Sequence, residues 1–371
     1  MRFTIQREAF LRPLRLVAGG VDRKQSSQSS PILLNTLLQV QDSHFSLTTT
    51  DQEIELVAVG KLETPAEANG AVTVSVRKLM EVCKTLPEGA NISFVEAEDR
   101  ITLRAGRSRF MVSTLPVCEF PNLDEQVGKF RISISKKNLR LLIEQVCFAM
   151  AEQDVRYYLN GMLLEVNKGY IYGVAADGHR LALGKAELCK VDSETFRVIV
   201  PRKGILELQR ILDDSEEEIQ IILGNNHIRV ITNDVQLTSK LLEGRFPDYH
   251  RIVLTDGDKI FTGCREVLKD AFQRAAALFS DRFRGVRLRL TEGYLKILAI
   301  SAEQDEVEED VEVDYVGNEF EIGFNVKYLI DLLNVIQTER VKFTLSDSNN
   351  SARVEGVGAE SGVYVIMPMK I

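Results

Sequence analysis

LRLLIEQV (residues 139–146) has counterparts at equal distances on either side, FLRPLRLV (10–17) and LKDAFQRA (268–275). In each stretch apolar residues occupy positions one, five and eight, which is the spacing of the buried stripe of an amphipathic helix. The first residues of neighbouring stretches are 129 positions apart in both cases. This constant distance predicts three copies of one structural unit.

A second amphipathic helix is predicted in each copy. Its motifs are LMEV (79–82), ILEL (205–208) and LIDL (329–332), each with an acidic residue in third place. β-Branched runs such as VTVSV (72–76) precede the helices, and alternating segments such as ITLRAGRSRFMVS (101–113) follow them. Each copy therefore consists of two successive segments, and each segment is a strand followed by a helix and further strands.

Helices segregated from antiparallel strands predict an α+β fold, with two helices packed on sheets in each of three tandem domains. The expected boundaries are 1–128, 129–254 and 255–371. Pro13 falls inside the first helical pattern, where proline removes a backbone donor. We expect the first helix to begin after Pro13 or to bend there.

Composition excludes several classes of protein. The 371 residues carry a net charge of -8, and the five cysteines are dispersed without a Cys-x-x-Cys pair, which indicates reduced thiols. No apolar run approaches the roughly 20 residues that span a bilayer, and MRFTIQREAF (1–10) lacks a signal-peptide pattern. We expect a cytoplasmic protein with no membrane partner.

The predicted helices carry basic residues away from their apolar stripes, whereas acids cluster at 303–314 and 215–218. One such face is usually only solvated, but five of six helices share the bias, which favours a surface that meets phosphates without reading bases. The basic residues are Arg7, Arg12, Arg15, Arg77, Lys78, Lys84, Lys136, Lys137, Arg140, Arg202, Lys203, Arg210, Arg265, Lys269, Arg274 and Lys327.

The search for a catalytic site leads to DGHR (177–180), where Asp177 and His179 could serve a metal or act as acid and base. Asp51, however, stands 126 residues earlier in the equivalent turn, so turn chemistry explains the aspartate better. No phosphate-binding loop or nucleophile motif is present. We expect no catalytic residue, metal or cofactor, and keep a metal-dependent nucleic-acid enzyme as the alternative.

Function is expected where the copies differ. His179, Arg180 and Leu181 stand where the first copy has Glu53, Ile54 and Glu55. The final stretch YVIMPMKI (364–371) is apolar and rich in methionine, which suits an adaptable peptide groove or, equally, a buried last strand.

Long segments of the chain closely resemble the β subunit of bacterial DNA polymerase III, the sliding clamp, and the resemblance runs unbroken from MRFTIQRE to the C-terminus. The segments are QDVRYYLNGMLLE (153–165), AADGHRLAL (175–183), VPRKGILEL (200–208), SKLLEGRFPDY (239–249), FRGVRL (283–288), IGFNVKYLIDLLN (322–334) and YVIMPMK (364–370).

This resemblance implies a head-to-tail homodimer that closes as a six-domain ring around double-stranded DNA. It implies a peptide groove, between the second and third domains, for the polymerase III catalytic subunit, the clamp loader, other polymerases and repair proteins. The implied DNA contacts are Arg23, Lys24, Arg77, Lys78, Gln153, Tyr157, Tyr158, Arg202 and Lys203.

The resemblance also assigns residues to the groove and to the dimer interface. The implied groove residues are Arg156, Leu159, Ala176, Gly178, His179, Arg180, Leu181, Pro247, Arg251, Ile252, Asn325, Tyr328, Ser351, Val365, Ile366, Met367, Pro368 and Met369. The implied interface residues are Lys78, Arg107, Arg109, Phe110, Arg274, Leu278, Phe279, Glu303, Glu306 and Glu308.

Two features depart from the family pattern. Ala176 stands where the family commonly has threonine, and the segment 21–30 is longer than the usual clamp loop, so which basic residue there reaches DNA stays open. A monomeric scaffold of three domains is the remaining alternative to a ring.

Overall fold

The computed structural model describes residues 1–21, 30–121, 128, 130–191, 195–254, 257–277, 279, 284–300, 304–359 and 362–370. Within these residues the six predicted helices are present, together with one short α-helix and five 3-10 turns. The α-helices are α1 (Arg7–Val17), α2 (Val76–Thr85), α3 (Lys136–Val146), α4 (Arg202–Ile211), α5 (Tyr249–Val253), α6 (Arg265–Ala276) and α7 (Val326–Val335). None of these helices combines the length and apolar character needed to cross a membrane.

The strands of the first copy come before and after its two helices, as the alternating segments predict. They are β1 (Arg2–Gln6), β2 (Asn35–Gln41), β3 (His44–Thr50), β4 (Ile54–Lys61), β5 (Gly70–Ser75), β6 (Asn91–Ala97), β7 (Arg100–Ala105) and β8 (Ser108–Leu115).

The later copies repeat this order. The central strands are β9 (Phe130–Ser135), β10 (Gly161–Asn167), β11 (Tyr170–Ala176), β12 (Arg180–Glu187), β13 (Lys190–Val191), β14 (Phe196–Pro201), β15 (Glu218–Leu223), β16 (His227–Ile231) and β17 (Val235–Lys240). The last are β18 (Lys259–Cys264), β19 (Gly285–Thr291), β20 (Tyr294–Ile300), β21 (Glu306–Glu312), β22 (Phe320–Asn325), β23 (Arg340–Leu345), β24 (Ala352–Gly356) and β25 (Val363–Ile366).

The chain divides into two compact units. The first comprises 1–137, 189–193 and 206–241, and the second comprises 138–188, 194–205 and 242–371. In the first unit the strand order is β1-β6-β7-β8-β5-β2-β3-β4-β17-β16-β15-β9-β13. In the second unit the orders are β14-β10-β11-β12-β25-β24-β23-β18 and β21-β20-β19-β22.

Neighbouring copies are joined by antiparallel strand pairs. In the first unit β17 pairs with β4, with Ser239 opposite Ile54. In the second unit β25 pairs with β12, with Ile366 opposite Arg180. The central copy thus contributes strands to both units, which is why the division does not follow the three expected domains, whose boundaries stay a prediction.

The apolar stripe of α1 is buried as its spacing predicts, with Phe10, Leu14 and Val17 inaccessible to solvent. The expected late start of this helix is wrong, because α1 begins at Arg7 and continues through Pro13. Pro13 is itself buried in the stripe. Packing of the apolar face therefore outweighs the lost backbone donor, which costs about 3 kcal/mol in a helix interior.

Some of the basic residues have structural roles instead of facing solvent. Arg7, which begins α1, donates from Nε to the carbonyl of Cys83 at 2.7 Å. Arg265, which begins α6, donates from Nη1 to the carbonyls of Leu333 at 3.2 Å and Ile336 at 2.9 Å. Both cations bind carbonyls at the end of the copy's second helix, where the helix dipole favours positive charge.

Candidate functional site

A pocket of about 150 Å³ lies within the second unit. It forms where the β11–β12 turn, the turn at 157–159, the segment 246–252 and the end of β25 meet. Its walls are Arg156, Tyr158, Leu159, Ala176, Gly178, Arg180, Leu181, Phe246, Pro247, Ile252, Val365 and Met367. All but Tyr158 and Phe246 belong to the expected groove.

The β11–β12 turn shapes one wall of the pocket. Asp177 Oδ1 accepts the backbone N–H groups of His179 at 2.9 Å and Arg180 at 3.0 Å. Asp51 accepts two N–H groups in the same way in the first copy. The predicted turn chemistry is confirmed, since the Asp177 carboxylate accepts backbone N–H groups of its own turn.

Arg180 lines the pocket, but its guanidinium group binds residues outside the pocket walls. Nε donates to Asp177 Oδ2 at 3.0 Å, Nη1 to Asp331 Oδ2 at 2.6 Å and Nη2 to the carbonyl of Phe148 at 2.8 Å. The guanidinium carbon is also 4.5 Å from the ring centroid of Tyr328. Because the N–H groups are engaged in this way, Arg180 offers the pocket mainly its aliphatic stem.

Arg156 lines the pocket beside Gly178. Its Nε and Nη2 bind the two oxygens of Asp154 at 3.0 and 2.8 Å, and these bonds lower the pKa of that carboxyl to about 2. Gly178 has φ of +90°, and a Cβ there would stand 2.6 Å from Arg156 Nη2. The positive φ favours glycine here, and a side chain at this position would displace the Arg156 guanidinium.

The floor of the pocket is apolar. Leu159, Leu181, Phe246 and Val365 are buried in one cluster, with Tyr249 behind them. The Tyr249 hydroxyl donates to Glu165 at 3.3 Å, and burial is the main cause that raises its pKa. A buried floor with hydrogen-bonded main chain at its edge is typical of a preformed binding pocket.

The other expected groove residues are not among the walls of the pocket. The His179 ring is 6.4 Å from that of Tyr328, the His179 carbonyl accepts the N–H of Met367 at 2.8 Å, and the Gly323 carbonyl accepts that of Met369 at 2.8 Å. The remaining ones are Ile366, which is buried, Pro368 and Ser351, which are partly exposed, Arg251, which pairs with Asp248, and Asn325, which caps α7.

Phe246 was missed in the sequence, although a signal exists. RFPDY (245–249) matches EFPNL (119–123), so Phe246 is the counterpart of Phe120. Phe120 likewise packs in a small buried cluster of the first unit. The first copy, however, has the buried carboxylate Glu55 at the sequence position that corresponds to Leu181. An apolar ligand therefore suits the site of the second unit better.

Comparison with known proteins identifies the family. Models of the N-terminal, central and C-terminal domains of the DNA polymerase III beta subunit match residues 1–124, 133–248 and 250–370 in order. The chain belongs to this family of sliding clamps. It is 50% identical to the beta sliding clamp of Pseudomonas putida and 45% identical to that of Escherichia coli K12, with 100% of both chains covered in each case.

Solved structures of other clamps have the same fold. The DNA polymerase III subunit beta from Pseudomonas aeruginosa matches with a TM-score of 0.95 at 50% identity, and Caulobacter crescentus pol III beta with 0.92 at 33%. Both comparisons cover 100% of each chain. A Pseudomonas aeruginosa clamp bound to griselimycin matches with 0.95 at 51% identity.

The residues that the clamp resemblance assigns to DNA differ in their surroundings. Arg77 and Lys78 are exposed on α2, and Tyr157 is exposed in the turn at 157–159. Arg202 donates to the Met150 carbonyl at 3.2 Å. Of the others, Gln153 is exposed, Lys203 is half-buried, Tyr158 lines the pocket, and Arg23 and Lys24 lie outside the described residues.

Four of the residues expected at a clamp dimer interface lie on strands β8 and β21. On β8, Arg109 is exposed and Phe110 half-buried, while on β21 Glu306 and Glu308 are exposed. The remaining ones are Arg107, which is exposed, Arg274, which binds Glu309 at 2.7 Å, Phe279, which is half-buried, and Leu278 and Glu303, which lie outside the described residues.

Proposed function

We propose that two copies of this clamp join head to tail as a ring around double-stranded DNA, with domains at 1–128, 129–254 and 255–371. The ring tethers the catalytic subunit of DNA polymerase III, the clamp loader, other polymerases and repair proteins. It is a cytoplasmic, non-catalytic accessory subunit that holds its partners on DNA and performs no chemistry of its own.

The apolar pocket of the second unit is the observation that carries the partner-binding part of the proposal. Its floor accepts apolar side chains, and Arg156 and the β11–β12 turn supply polar groups at the edge. A short linear motif with apolar anchors fits such a site, since buried anchors supply affinity and edge hydrogen bonds fix orientation.

Two exposed basic residues on α2 support the DNA-binding part of the proposal. Arg77 and Lys78 are charges on flexible stems at the start of α2, where they can follow a backbone without reading base edges. The net charge of -8 is compatible with this role, because strand β21 alone holds five acidic residues.

Strand registers inside the chain support the dimer. Among the described residues β21 is the last strand of its sheet, and β8 pairs with β7 but meets β5 at only two positions. The two joints within the chain pair Ser239 with Ile54 and Ile366 with Arg180. In the matching hairpin, Val112 on β8 is equivalent to Ser239 and Ile366. Asp305, just before β21, is equivalent to Ile54 and Arg180.

The same register, extended to two chains, pairs β8 of one subunit with β21 of the other. Arg109 then stands opposite the partner subunit's Glu308, and Phe110 opposite the partner subunit's Val307. Opposite charges and apolar residues meet on alternate faces, as cross-strand pairing favours. A contact of this head-to-tail kind closes into a ring when its rotation divides the circle.

Peptide binding is tested with a fluorescent peptide that carries the clamp-binding motif of the polymerase catalytic subunit. Deletion of Met367 to Ile371 should abolish binding, because it removes one pocket wall, while the dimer stays intact. Unchanged affinity of the deleted protein would contradict the proposed site.

The oligomeric state is tested by light scattering. A dimer should give about twice the 41.8 kDa mass of one chain. A mass of one chain at every concentration would favour the monomeric scaffold instead.

A further inference from the structure

One wall of the pocket consists of a segment with little secondary structure of its own. Phe246, Pro247 and Ile252 line the pocket, and α5 (Tyr249–Val253), which begins between them, is five residues long. The residue before this helix, Asp248, makes no side-chain hydrogen bond that caps it. So short a helix is unstable by itself. Contacts with the rest of the second unit must therefore hold this wall in place.

Tyr249 connects α5 to strand β10. Its side chain is buried and packs in the apolar cluster that forms the pocket floor. Its hydroxyl donates to Oε2 of Glu165, which lies on β10, at 3.3 Å. Burial raises the pKa of this hydroxyl, so it stays protonated and remains a donor at neutral pH. The bond joins the pocket wall to a strand that does not itself line the pocket.

Arg197 adds a cation to this pair from the neighbouring strand. It stands directly opposite Glu165 in the pairing of β10 with β14, and its Nε is 3.4 Å from Glu165 Oε2. Its guanidinium carbon is 5.6 Å from the centroid of the Tyr249 ring, within the range of a cation–π contact. Arg197 therefore contacts both partners of the Tyr249–Glu165 bond and restricts the positions that the carboxylate can adopt.

The first copy has different side chains at all three positions. At a distance of 126 residues, the counterparts of Glu165, Arg197 and Tyr249 are Gln39, Ala71 and Leu123. Gln39 and Ala71 stand opposite each other in the pairing of β2 with β5, so the backbone arrangement is the same without the ion pair. The shared fold therefore forms without this polar group, which occurs in the copy that contributes most of the apolar pocket.

We propose that Glu165 and Arg197 are positioning residues for peptide binding, which act through Tyr249 to hold α5 and the adjoining pocket wall in the binding conformation. Neither residue lines the pocket. The inference rests on the proposed peptide-binding function of the pocket. When the polar group is broken, the wall is displaced in part of the molecules, and the apparent affinity falls with the fraction that remains competent.

Removal of one hydroxyl tests the bond between wall and strand. In full-length protein, Tyr249→Phe keeps the ring in the apolar cluster but loses the donor, and it should weaken binding of the fluorescent peptide roughly twofold to tenfold. Tyr315→Phe is the matched control, because the buried Tyr315 donates to the Asn318 carbonyl at 2.8 Å away from the pocket. It should lower the unfolding midpoint to a similar extent and keep the native peptide affinity.

Substitution of Glu165 tests whether the carboxylate acts through Tyr249. Glu165→Ala removes the acceptor and should weaken peptide binding to about the same extent as Tyr249→Phe. Because both changes break one bond, the double variant should bind no more weakly than either single variant. Glu165→Gln retains an oxygen that accepts the hydroxyl and should recover most of the affinity that Glu165→Ala loses.

Substitution of Arg197 has a control in the third copy. Arg197→Met should weaken peptide binding by up to about fivefold, because the exposed guanidinium holds the carboxylate only in part. Arg289→Met removes a similarly exposed strand arginine that pairs with Glu319. This control should leave peptide affinity unchanged, since neither Arg289 nor Glu319 contacts α5.

Hydrogen exchange separates a displaced wall from general instability. The backbone N–H of Leu254 donates to the His250 carbonyl at 3.2 Å and reports on α5. In Tyr249→Phe and Glu165→Ala it should exchange faster than in native protein, while the strands of the first unit keep native rates. Saturating peptide should restore slow exchange at Leu254, because binding selects the ordered wall.

The outcomes distinguish this inference from the peptide site itself. Weaker binding with faster exchange confined to α5 supports it. Native affinity in both Tyr249→Phe and Glu165→Ala, additive losses in the double variant, or an equal loss in Tyr315→Phe overturns it and leaves the peptide site standing. A native protein that does not bind the peptide overturns the peptide site and the positioning role together.

Discussion

Truncation of Met367 tests the pocket with a magnitude that the structure provides. Met367 lines the pocket and is 44% exposed, so a bound peptide can cover the remaining part of its side chain. Full burial of a methionine is worth about 1.5–3 kcal/mol, and the exposed share about 0.7–1.3 kcal/mol. Met367→Ala should therefore weaken peptide binding about threefold to ninefold.

Met111 is a matched control on another surface. It is 51% exposed on β8, which we propose as a dimer strand. Met111→Ala should leave peptide affinity unchanged, because Met111 lies outside the pocket. Met367→Ala should leave the dimerisation constant unchanged, because β25 is not one of the proposed dimer strands. Fluorescence anisotropy and sedimentation measure the two constants, and equal effects of both variants on peptide binding would refute the assignment.

Three further substitutions probe the walls of the pocket. Gly178→Ala and Gly169→Ala both place a side chain at positive φ and should each lower the unfolding free energy by about 1–2 kcal/mol. Only Gly178→Ala crowds Arg156, so only that variant should reduce peptide affinity. Equal peptide affinities of the two variants would contradict this. Arg156→Gln should raise the pKa of Asp154 from about 2 toward the ordinary carboxyl value. Since the lowered pKa keeps the native pair ionised down to about pH 2, a carboxyl NMR titration that gives native and variant the same midpoint would contradict the pairing. Arg180→Lys cannot bind Asp177, Asp331 and the Phe148 carbonyl together and should lower the denaturant midpoint by the equivalent of about 1–3 kcal/mol, whereas Arg251→Lys, at an exposed pair, should change it by less than about 0.5 kcal/mol.

The repeat was readable from the sequence because local spacing determines it. The stripe of Phe10, Leu14 and Val17 predicts a buried helix face, and the structure confirms it. The strand pairs between copies were not readable, because Ile54 and Ser239 are 185 residues apart and no local pattern specifies their register. The expected late start of α1 at Pro13 was wrong for the same reason, because tertiary packing of the apolar face outweighs the local cost of proline in the helix.

The basic faces show a second limit of sequence reasoning. Arg7 and Arg77 look alike in the sequence, yet Arg7 binds the Cys83 carbonyl and Arg77 is exposed. Whether such an arginine binds a carbonyl or faces solvent depends on a residue far away in the sequence, here Cys83 for Arg7. The spacing of residues along one helix does not predict that partner. Charge counts therefore overstate the surface available to phosphates.

Differences between equivalent positions of the three copies predicted part of the pocket. Asp51 and Asp177 agree and have the same role in their turns. Leu181 and the C-terminal methionines differ from the first copy, and Leu181 and Met367 both line the pocket. The comparison of copies did not reveal that Arg180 points its charge away from the pocket, since that depends on Asp331, 151 residues later.

The most direct test of the central claim is the lifetime of the clamp on DNA of different topology. The labelled protein is placed by a clamp loader on a nicked circular duplex, and its release is followed before and after one restriction cut. A topological tether should persist on the circle, even at salt concentrations that weaken phosphate contacts, and should leave rapidly after linearisation. Equal release rates from circle and linear fragment would contradict the ring.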